Sequence, residues 1–382
     1  GNQFQIKVST DGMAMRLLFA LPGFHRFDRG AEVALLAVAE HCARAGDAVT
    51  VMGSGQARPG TPYAFRHVPA VDRKRFERMP TMPLLRGDTA YEEASFAPGL
   101  ALRFRPGDFD ATVTCSYPFT NWVLRRPRLG GRRPAHVFVT QNGDWPAIAG
   151  TSEYRWFGCD GLVCTNPDFL ERNKDRWNCT LIPNGTDLGR FVPGPQERAR
   201  LGLPTDRPIV LMVSALIESK RVADGIRAVA GVPDAHLVVA GDGALRDEVE
   251  ALAATLLPGR FTRLTVAPAD MPALYRSADA FLHLSLLESF GNVFVEAMAC
   301  GLPVIGHDTP RLRWIVGDDE PLVDTQSLPA VSRAIEAALA ARGTSASGDD
   351  ADRVAARHRR AERFGWDRVG AAYRSFLQGL VR

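Results

Sequence analysis

Two glutamates stand eight residues apart in Glu288-Ser-Phe-Gly-Asn-Val-Phe-Val-Glu296. Between them Phe290-Gly291 makes a turn, and the residues from Val293 onward are expected to form a helix. At the start of that helix the backbone N–H groups of Gly291, Asn292 and Val293 have no helical partner, and such a terminus attracts phosphate. Glu288, in the preceding loop, can accept hydrogen bonds from hydroxyls of whatever the phosphate carries. Glu296 lies about one turn beyond Asn292 and reaches hydroxyls on the other side. The layout suits a diphosphate joined to two sugars, which is a nucleotide sugar. The same residues suit a plain helix capped by Ser289 with acidic neighbours. On spacing alone that plainer reading stays ahead.

Such groups need elements to hold them. An apolar run over 16–22 predicts a buried strand. An Ala- and Leu-rich helix follows over 32–44, stopped by Gly46, then a strand over 48–52. This is a βαβ unit. Further strands are expected over 111–115, 135–140 and 161–164. The pattern breaks near 180–185, and Pro193-Gly194-Pro195 marks a linker. A second series begins at Pro208, with strands over 209–213, 235–240, 263–266, 280–284 and 303–305. Helices are expected over 222–230 and 245–256, and from Met271 and Val293. The alternation predicts an α/β protein of two Rossmann-like units, each with a parallel sheet covered on both faces. Ligands of such sheets bind outside the carboxyl ends of the strands, here in a cleft between the units. Residues 343–352 are small, polar and acidic and read as a loop. From Trp366 an amphipathic helix carries Val369, Tyr373, Phe376 and Leu377 on one face.

Composition narrows the class. The 382 residues are 46% hydrophobic and 23% charged, which fits a folded protein of two domains. A net charge of +3 excludes a nucleic-acid binder driven by bulk charge. Cys42, Cys115, Cys159, Cys164, Cys179 and Cys300 show neither C-x-x-C pairs nor zinc-ligand spacing with histidine. They read as reduced thiols of a cytoplasmic protein. No apolar run is long enough to span a membrane. Residues 1–12 do not read as a signal peptide. A native start at Met13 or Met15 is expected, with an added leader or short extra strand before it. Residues 60–134 hold thirteen Lys/Arg against seven Asp/Glu, densest at Arg73-Lys74-Arg75 and Arg125-Arg126-Pro127-Arg128. Solvated faces are the plain reading of these clusters. Contact with an anionic acceptor, or peripheral contact with the inner face of a membrane, is the sharper one.

The Glu288–Glu296 stretch resembles the Glu-x7-Glu signature of glycosyltransferase family 4, the retaining GT-B enzymes. Gly30-Ala-Glu32 matches the second half of that family's N-terminal Gly-Gly-x-Glu. Leu181-Ile-Pro-Asn-Gly-Thr-Asp187, with Arg190, Phe191 and Pro193, matches the interdomain stretch. Val213-Ser-Ala-Leu-Ile-Glu-Ser-Lys220-Arg221 matches the phosphate-binding strand and loop. Val239-Ala-Gly-Asp-Gly243, Leu274-Tyr275 with Ala278-Asp279, and Glu296-Ala-Met-Ala-Cys-Gly-Leu-Pro303 follow in order. Phe364-Gly-Trp366 resembles the point where the family's last helix crosses back to the N-terminal domain. The resemblance implies an N-terminal acceptor domain over 13–185, completed by a helix over 366–382, and a donor domain over 186–365.

It also implies roles. Lys220 faces the donor pyrophosphate, the amides of Gly291, Asn292 and Val293 hold phosphate, and Glu296 contacts the ribose. Glu288 contacts the transferred sugar. Gly30 lets the N-terminal loop approach the diphosphate, and a base is held by backbone near Val266. Three departures stand out. Ala215 occupies a position where the family often has Arg, so Arg221, Arg26 or Arg29 is expected to supply that charge. Arg29 replaces the first glycine of the N-terminal pair. In Gln141-Asn-Gly-Asp144, Asn142 stands where many members carry His, and Asn cannot carry a proton. The implied activity is retaining transfer of a sugar from a nucleotide diphosphate sugar to a hydroxyl acceptor, with no cofactor and no metal. A GT-B sugar-nucleotide epimerase and a non-catalytic nucleotide-sugar-binding protein are the alternatives. Asp108-Phe-Asp110 looks like a metal-binding Asp-x-Asp but precedes a strand. Gly241-Asp-Gly243 lacks dinucleotide-fingerprint spacing. The eight histidines are scattered and read as structural.

Overall fold

In a computed structural model of the chain, residues 12–127, 129–343 and 349–382 are described. They fall in two compact units, the first over 12–185 with Trp366–Arg382 and the second within Thr186–Gly365. The expected leader strand and Arg128 lie outside the described residues.

The first unit runs β1 (Arg16–Ala20), α1 (Gly30–Arg44), β2 (Ala48–Gly53), β3 (Ala64–His67), α2 (Asp88–Arg103), β4 (Ala111–Thr114), α3 (Phe119–Leu124), β5 (Ala135–Val139), α4 (Trp145–Ile148), β6 (Gly161–Cys164), α5 (Pro167–Asn173) and β7 (Cys179–Leu181). The second runs β8 (Ile209–Val213), α6 (Val222–Ala230), β9 (His236–Ala240), α7 (Arg246–Leu256), β10 (Phe261–Leu264), α8 (Met271–Arg276), β11 (Ala280–His283), α9 (Asn292–Ala299), β12 (Val304–His307), α10 (Pro310–Val316), β13 (Leu322–Val323), α11 (Leu328–Gly343) and α12 (Asp349–Ala361). A last helix, α13 (Trp366–Val381), belongs to the first unit.

Both sheets are parallel. Their orders are β3-β2-β1-β4-β5-β6-β7 and β10-β9-β8-β11-β12-β13. Each is a doubly wound arrangement whose strand order reverses at one point, between β1 and β4 and between β8 and β11. Leu17 registers with Val49 and Ala111, and Val210 with Leu237 and Ala280. The central strands are buried along nearly their whole length, as helices on both faces require. Alternate residues serve opposite layers. Leu17 and Phe19 pack with Leu35, Tyr373 and Leu377, whereas Leu18 packs with Phe96, Leu100 and Phe104. In the second unit Leu211 and Phe281 face Val295 and Met298, and Val210 and Leu282 face Ile226 and Ile335.

Among the boundaries that differ from expectation, two are informative. The strand expected over 263–266 is Phe261–Leu264, and all four residues are only half-buried, so an apolar run marks it poorly. Of the loop expected over 343–352, residues 344–348 lie outside the described residues and the rest overlap two helices. Gly343 ends α11 and Asp349–Asp352 open α12. Acidic residues favour a helix start as much as a loop, so composition could not separate them.

Candidate active site

In the second sheet the reversal lies between β8 and β11. The loop leaving β8 carries Lys220 and the loop leaving β11 carries Glu288. Sequence distance therefore hides a contact. Lys220 Nζ lies 2.6 Å from Glu288 Oε1, with both side chains about one quarter exposed. The sequence assigned them separate partners, and the structure pairs them with each other. His283, at the end of β11 and buried, donates from Nε2 to the same Oε1 at 2.9 Å. Burial pushes the Glu288 carboxyl up, but the His283 and Lys220 hydrogen bonds and charges more than offset it and hold it at about 2. Arg311 of α10 donates to the Glu288 carbonyl oxygen.

Gly291 caps α9 with φ 93°, a left-handed conformation that glycine adopts without steric cost. A Cβ there would also lie 2.7 Å from the Phe294 ring. Asn292 and Val293 are the first two helical residues, whose amides have no partner within the helix. Asn292 Oδ1 and Ser214 Oγ are buried with no hydrogen-bond partner among the described residues. One turn on, Glu296 Oε2 accepts from the Tyr275 hydroxyl at 2.7 Å. Burial pushes the Glu296 carboxyl up to about 7, although the Tyr275 hydrogen bond and the Arg190 charge pull it down. Val266 lies two residues past β10, its side chain against the core.

The β8 loop is seated by the glycines of Gly241-Asp-Gly243. A Cβ at Gly241 would lie 1.8 Å from the Ser214 carbonyl oxygen, and one at Gly243 2.5 Å from that of Leu216. These glycines serve the close approach of two strand-end loops. Arg221, expected to face phosphate, is a tie instead. Its guanidinium donates to the Leu284 carbonyl at 3.1 Å, to Thr325 Oγ1 at 3.0 Å and to the Thr325 carbonyl at 2.7 Å, and pairs with Asp224 at 3.1 Å. Four acceptors hold it in a left-handed backbone, φ 54°.

The first unit presents the remaining candidates. Gly30 opens α1, and a Cβ there would meet nothing within 4 Å. Arg29 and Arg73 both pair with the buried Glu92 at 3.3 Å, and Arg26 donates to the Ala70 carbonyl at 3.0 Å. Arg29 is therefore committed charge, whereas Arg26 is exposed and its partner is a neutral carbonyl. Asn142 is exposed in the loop after β5, where its carbonyl accepts from Trp145 Nε1 at 3.2 Å. The neighbouring Gln141 side chain instead exchanges hydrogen bonds with Asn184. Asp110 is held by Arg16 at 2.8 Å, and the described residues contain no cluster of three or more His, Cys, Asp or Glu suited to a metal. Arg125 and Arg126 donate to the carbonyls of Trp156 and Ala101, so these two are not simply solvated. All six cysteines are free thiols.

The residues that sequence reasoning missed are His283, Arg311 and the hydroxyl of Tyr275. Their contacts with Glu288 and Glu296 span elements that no local spacing relates. His283 carried one usable signal, its place at the carboxyl end of a strand five residues before Glu288.

Two family models match the chain. The one described as Glycosyl transferases group 1 matches residues 194–355, and the one described as Glycosyltransferase Family 4 matches residues 29–190. The chain is 30% identical over 224 residues, 57% of its length and 64% of the relative's, to the lipopolysaccharide core biosynthesis glycosyltransferase LpsE of Rhizobium meliloti. It is 36% identical over 212 residues, 50% of its length and 49% of the relative's, to the D-inositol 3-phosphate glycosyltransferase of Xylanimonas cellulosilytica. The chain thus spans between about half and just under two thirds of these two relatives. Among solved structures, sucrose-phosphate synthase from Thermosynechococcus elongatus superposes with a TM-score of 0.74 at 22% identity, covering 96% of this chain and 99% of that one. WaaG, a glycosyltransferase involved in lipopolysaccharide biosynthesis, gives 0.59 at 17% identity, covering 91% and 94%. Two tandem Rossmann-like sheets, and family models that between them take in both, make this chain a member of glycosyltransferase family 4 with the GT-B fold.

Proposed function

We propose that the chain is a retaining glycosyltransferase that moves a sugar from a nucleotide diphosphate sugar to a hydroxyl acceptor. The observation that carries this reading is the convergence of Lys220 and Glu288 at the switch point of the second sheet, beside the glycine-capped start of α9. Lys220 and the α9 amides offset the charge that grows on the leaving diphosphate. Glu288, ionised through the neutral range, accepts from sugar hydroxyls, and Glu296 accepts from the ribose. Asn142 cannot take a proton, so the donor phosphate takes the acceptor's proton as the acceptor attacks the same face of the sugar. Relatives and neighbours point the same way. One relative's name specifies GDP-mannose dependence, and one neighbour was solved with UDP and glucose.

The reaction is proposed to need no metal, because the Asp110 carboxylate is taken by Arg16. Activity that EDTA abolishes and manganese restores would overturn this. Peripheral membrane contact is proposed through the first unit, where exposed Met79 and Met82 follow exposed Arg75 and Arg78. Cosedimentation with anionic but not neutral vesicles checks it, and equal recovery with both rejects it. The central test combines titration with UDP, GDP and ADP and turnover with a panel of nucleotide sugars, with and without hydroxyl acceptors. One nucleotide should bind, and its sugar should be transferred with the anomeric configuration kept. Epimerisation without transfer, or binding without any turnover, sinks the proposal.

A further inference from the structure

His283 is built into the core in a way that an incidental histidine need not be. It ends β11, is 3% exposed, and registers with Gly306 of β12. Its ring lies parallel to that of Phe281 at 6.2 Å and meets Phe294 edge-on at 4.9 Å. A strand backbone and two flanking rings leave it little freedom. The ionised Glu288 carboxylate only accepts, so Nε2 carries the hydrogen and donates to Oε1 at 2.9 Å. Lys220 donates to that same oxygen at 2.6 Å. Among the described residues no donor reaches Glu288 Oε2.

The two donors differ in mobility. Lys220 ends a three-residue 3-10 turn, Glu218–Lys220, and holds its ammonium on a flexible four-carbon stem. An arriving diphosphate competes with Glu288 for that ammonium, and Lys220 is free to follow it. His283 is not. We infer that His283 is a positioning residue that keeps Glu288 fixed on the sugar side of the site when Lys220 turns to the diphosphate. This rests on the donor-sugar reading proposed above. With Oε1 held by His283 and the Glu288 carbonyl held by Arg311, Oε2 stays presented to a sugar hydroxyl. Without His283, Oε1 has no fixed donor once Lys220 turns to the diphosphate, and the carboxylate is free to swing off the sugar side.

Three variants of the full chain separate this role from packing. H283M and H283F fill the space with two apolar shapes and no donor, whereas H283Q keeps an N–H at a similar reach. Melting curves first establish which variants fold. Turnover of the nucleotide sugar and titration with the bare nucleoside diphosphate follow. Either donor-free variant should lose about 30-fold or more in kcat, as a misplaced sugar contact predicts. Its affinity for the bare diphosphate should stay within about twofold, because that ligand has no sugar to misplace. H283Q should recover most of the loss. The inference is overturned by a folded donor-free variant that keeps wild-type kcat, by parallel loss of kcat and diphosphate affinity, or by a folded H283Q as slow as the donor-free forms. A wild-type chain that turns over no nucleotide sugar is a separate result, and it removes the donor reading together with this inference.

Discussion

Lys220 and Glu288 meet at 2.6 Å, so changing one releases the other. Glu288→Gln removes the sugar contact and frees the ammonium at once. Turnover should fall roughly 100-fold through lost alignment. Affinity for the bare diphosphate should rise about two- to fivefold, because a competing negative charge beside the phosphates is gone. Calorimetric titration of this variant decides it, and a weakened bare nucleotide would mean that Glu288 is a nucleotide ligand. Glu296 makes a different prediction. Its carboxyl sits at about 7 in the folded chain, chiefly through burial, against about 4.3 when unfolded. A raised carboxyl pKa costs stability above the unfolded value. The two states are equal below about pH 4, stability falls as pH rises from there to about 7, and the loss is then complete. Glu296→Gln should therefore be more stable than wild type at pH 8, by up to about 3–4 kcal/mol, and melt equally at pH 4. Thermal unfolding at both pH values checks the sign.

Glycine is diagnostic at the scale of the element, for two different reasons. At Gly291 the backbone itself is left-handed, φ 93°. Gly291→Ala should cost about 1–2 kcal/mol from conformation alone, with more from the Phe294 ring. It should also tilt the first amides of α9 and weaken diphosphate binding. At Gly241, where φ is also positive at 151°, contact is the heavier constraint, since a Cβ would lie 1.8 Å from a carbonyl oxygen that cannot rotate away. Gly241→Ala should force apart the loops of β8 and β9 and cost more than the Gly291 change, which denaturant titration of the two variants compares. The sequence showed both glycines in place. Neither reason was visible there, because a φ angle and a neighbour from another strand are properties of the fold.

At the scale of the whole molecule the chain leaves its first unit once and returns once. The two passages run side by side, Thr186 pairing with Gly365 and donating to the Phe364 carbonyl at 2.7 Å. Trp366 then packs on Gly185, where a Cβ would lie 2.3 Å from the indole. The returning helix α13 closes the first core with Tyr373 and Leu377 and supplies Arg374, which pairs at 2.8 Å with Asp47. The Asp47 side chain is wholly buried and also accepts from the Met15 N–H. Arg374→Ala should strip a buried charge of its partner and destabilise the first unit by about 3–5 kcal/mol. Each unit has its own core, so nucleotide binding by the second should persist. A calorimetric trace in which only one transition moves would agree with this, and equal loss in both would contradict it.

What the residues determined on their own was the sheet class, the order of the central strands and the motif set, but not β3, α2, β7 or β13. These rest on local information: apolar runs as long as a buried strand, Gly and Pro at the breaks, and Glu288 and Glu296 at a fixed spacing. Family membership was legible for the same reason, since its motifs are short and keep their order. Partnership was not. Whether Arg221 faced a ligand or tied strand ends together depended on which carbonyls of the segments after β11 and β13 came within reach. That His283 and Lys220 would share one oxygen of Glu288 depended on β8 and β11 being neighbours at the sheet's reversal. Hydrogen bonds act over about 3 Å. Only folding brings residues from loops more than sixty positions apart within that distance.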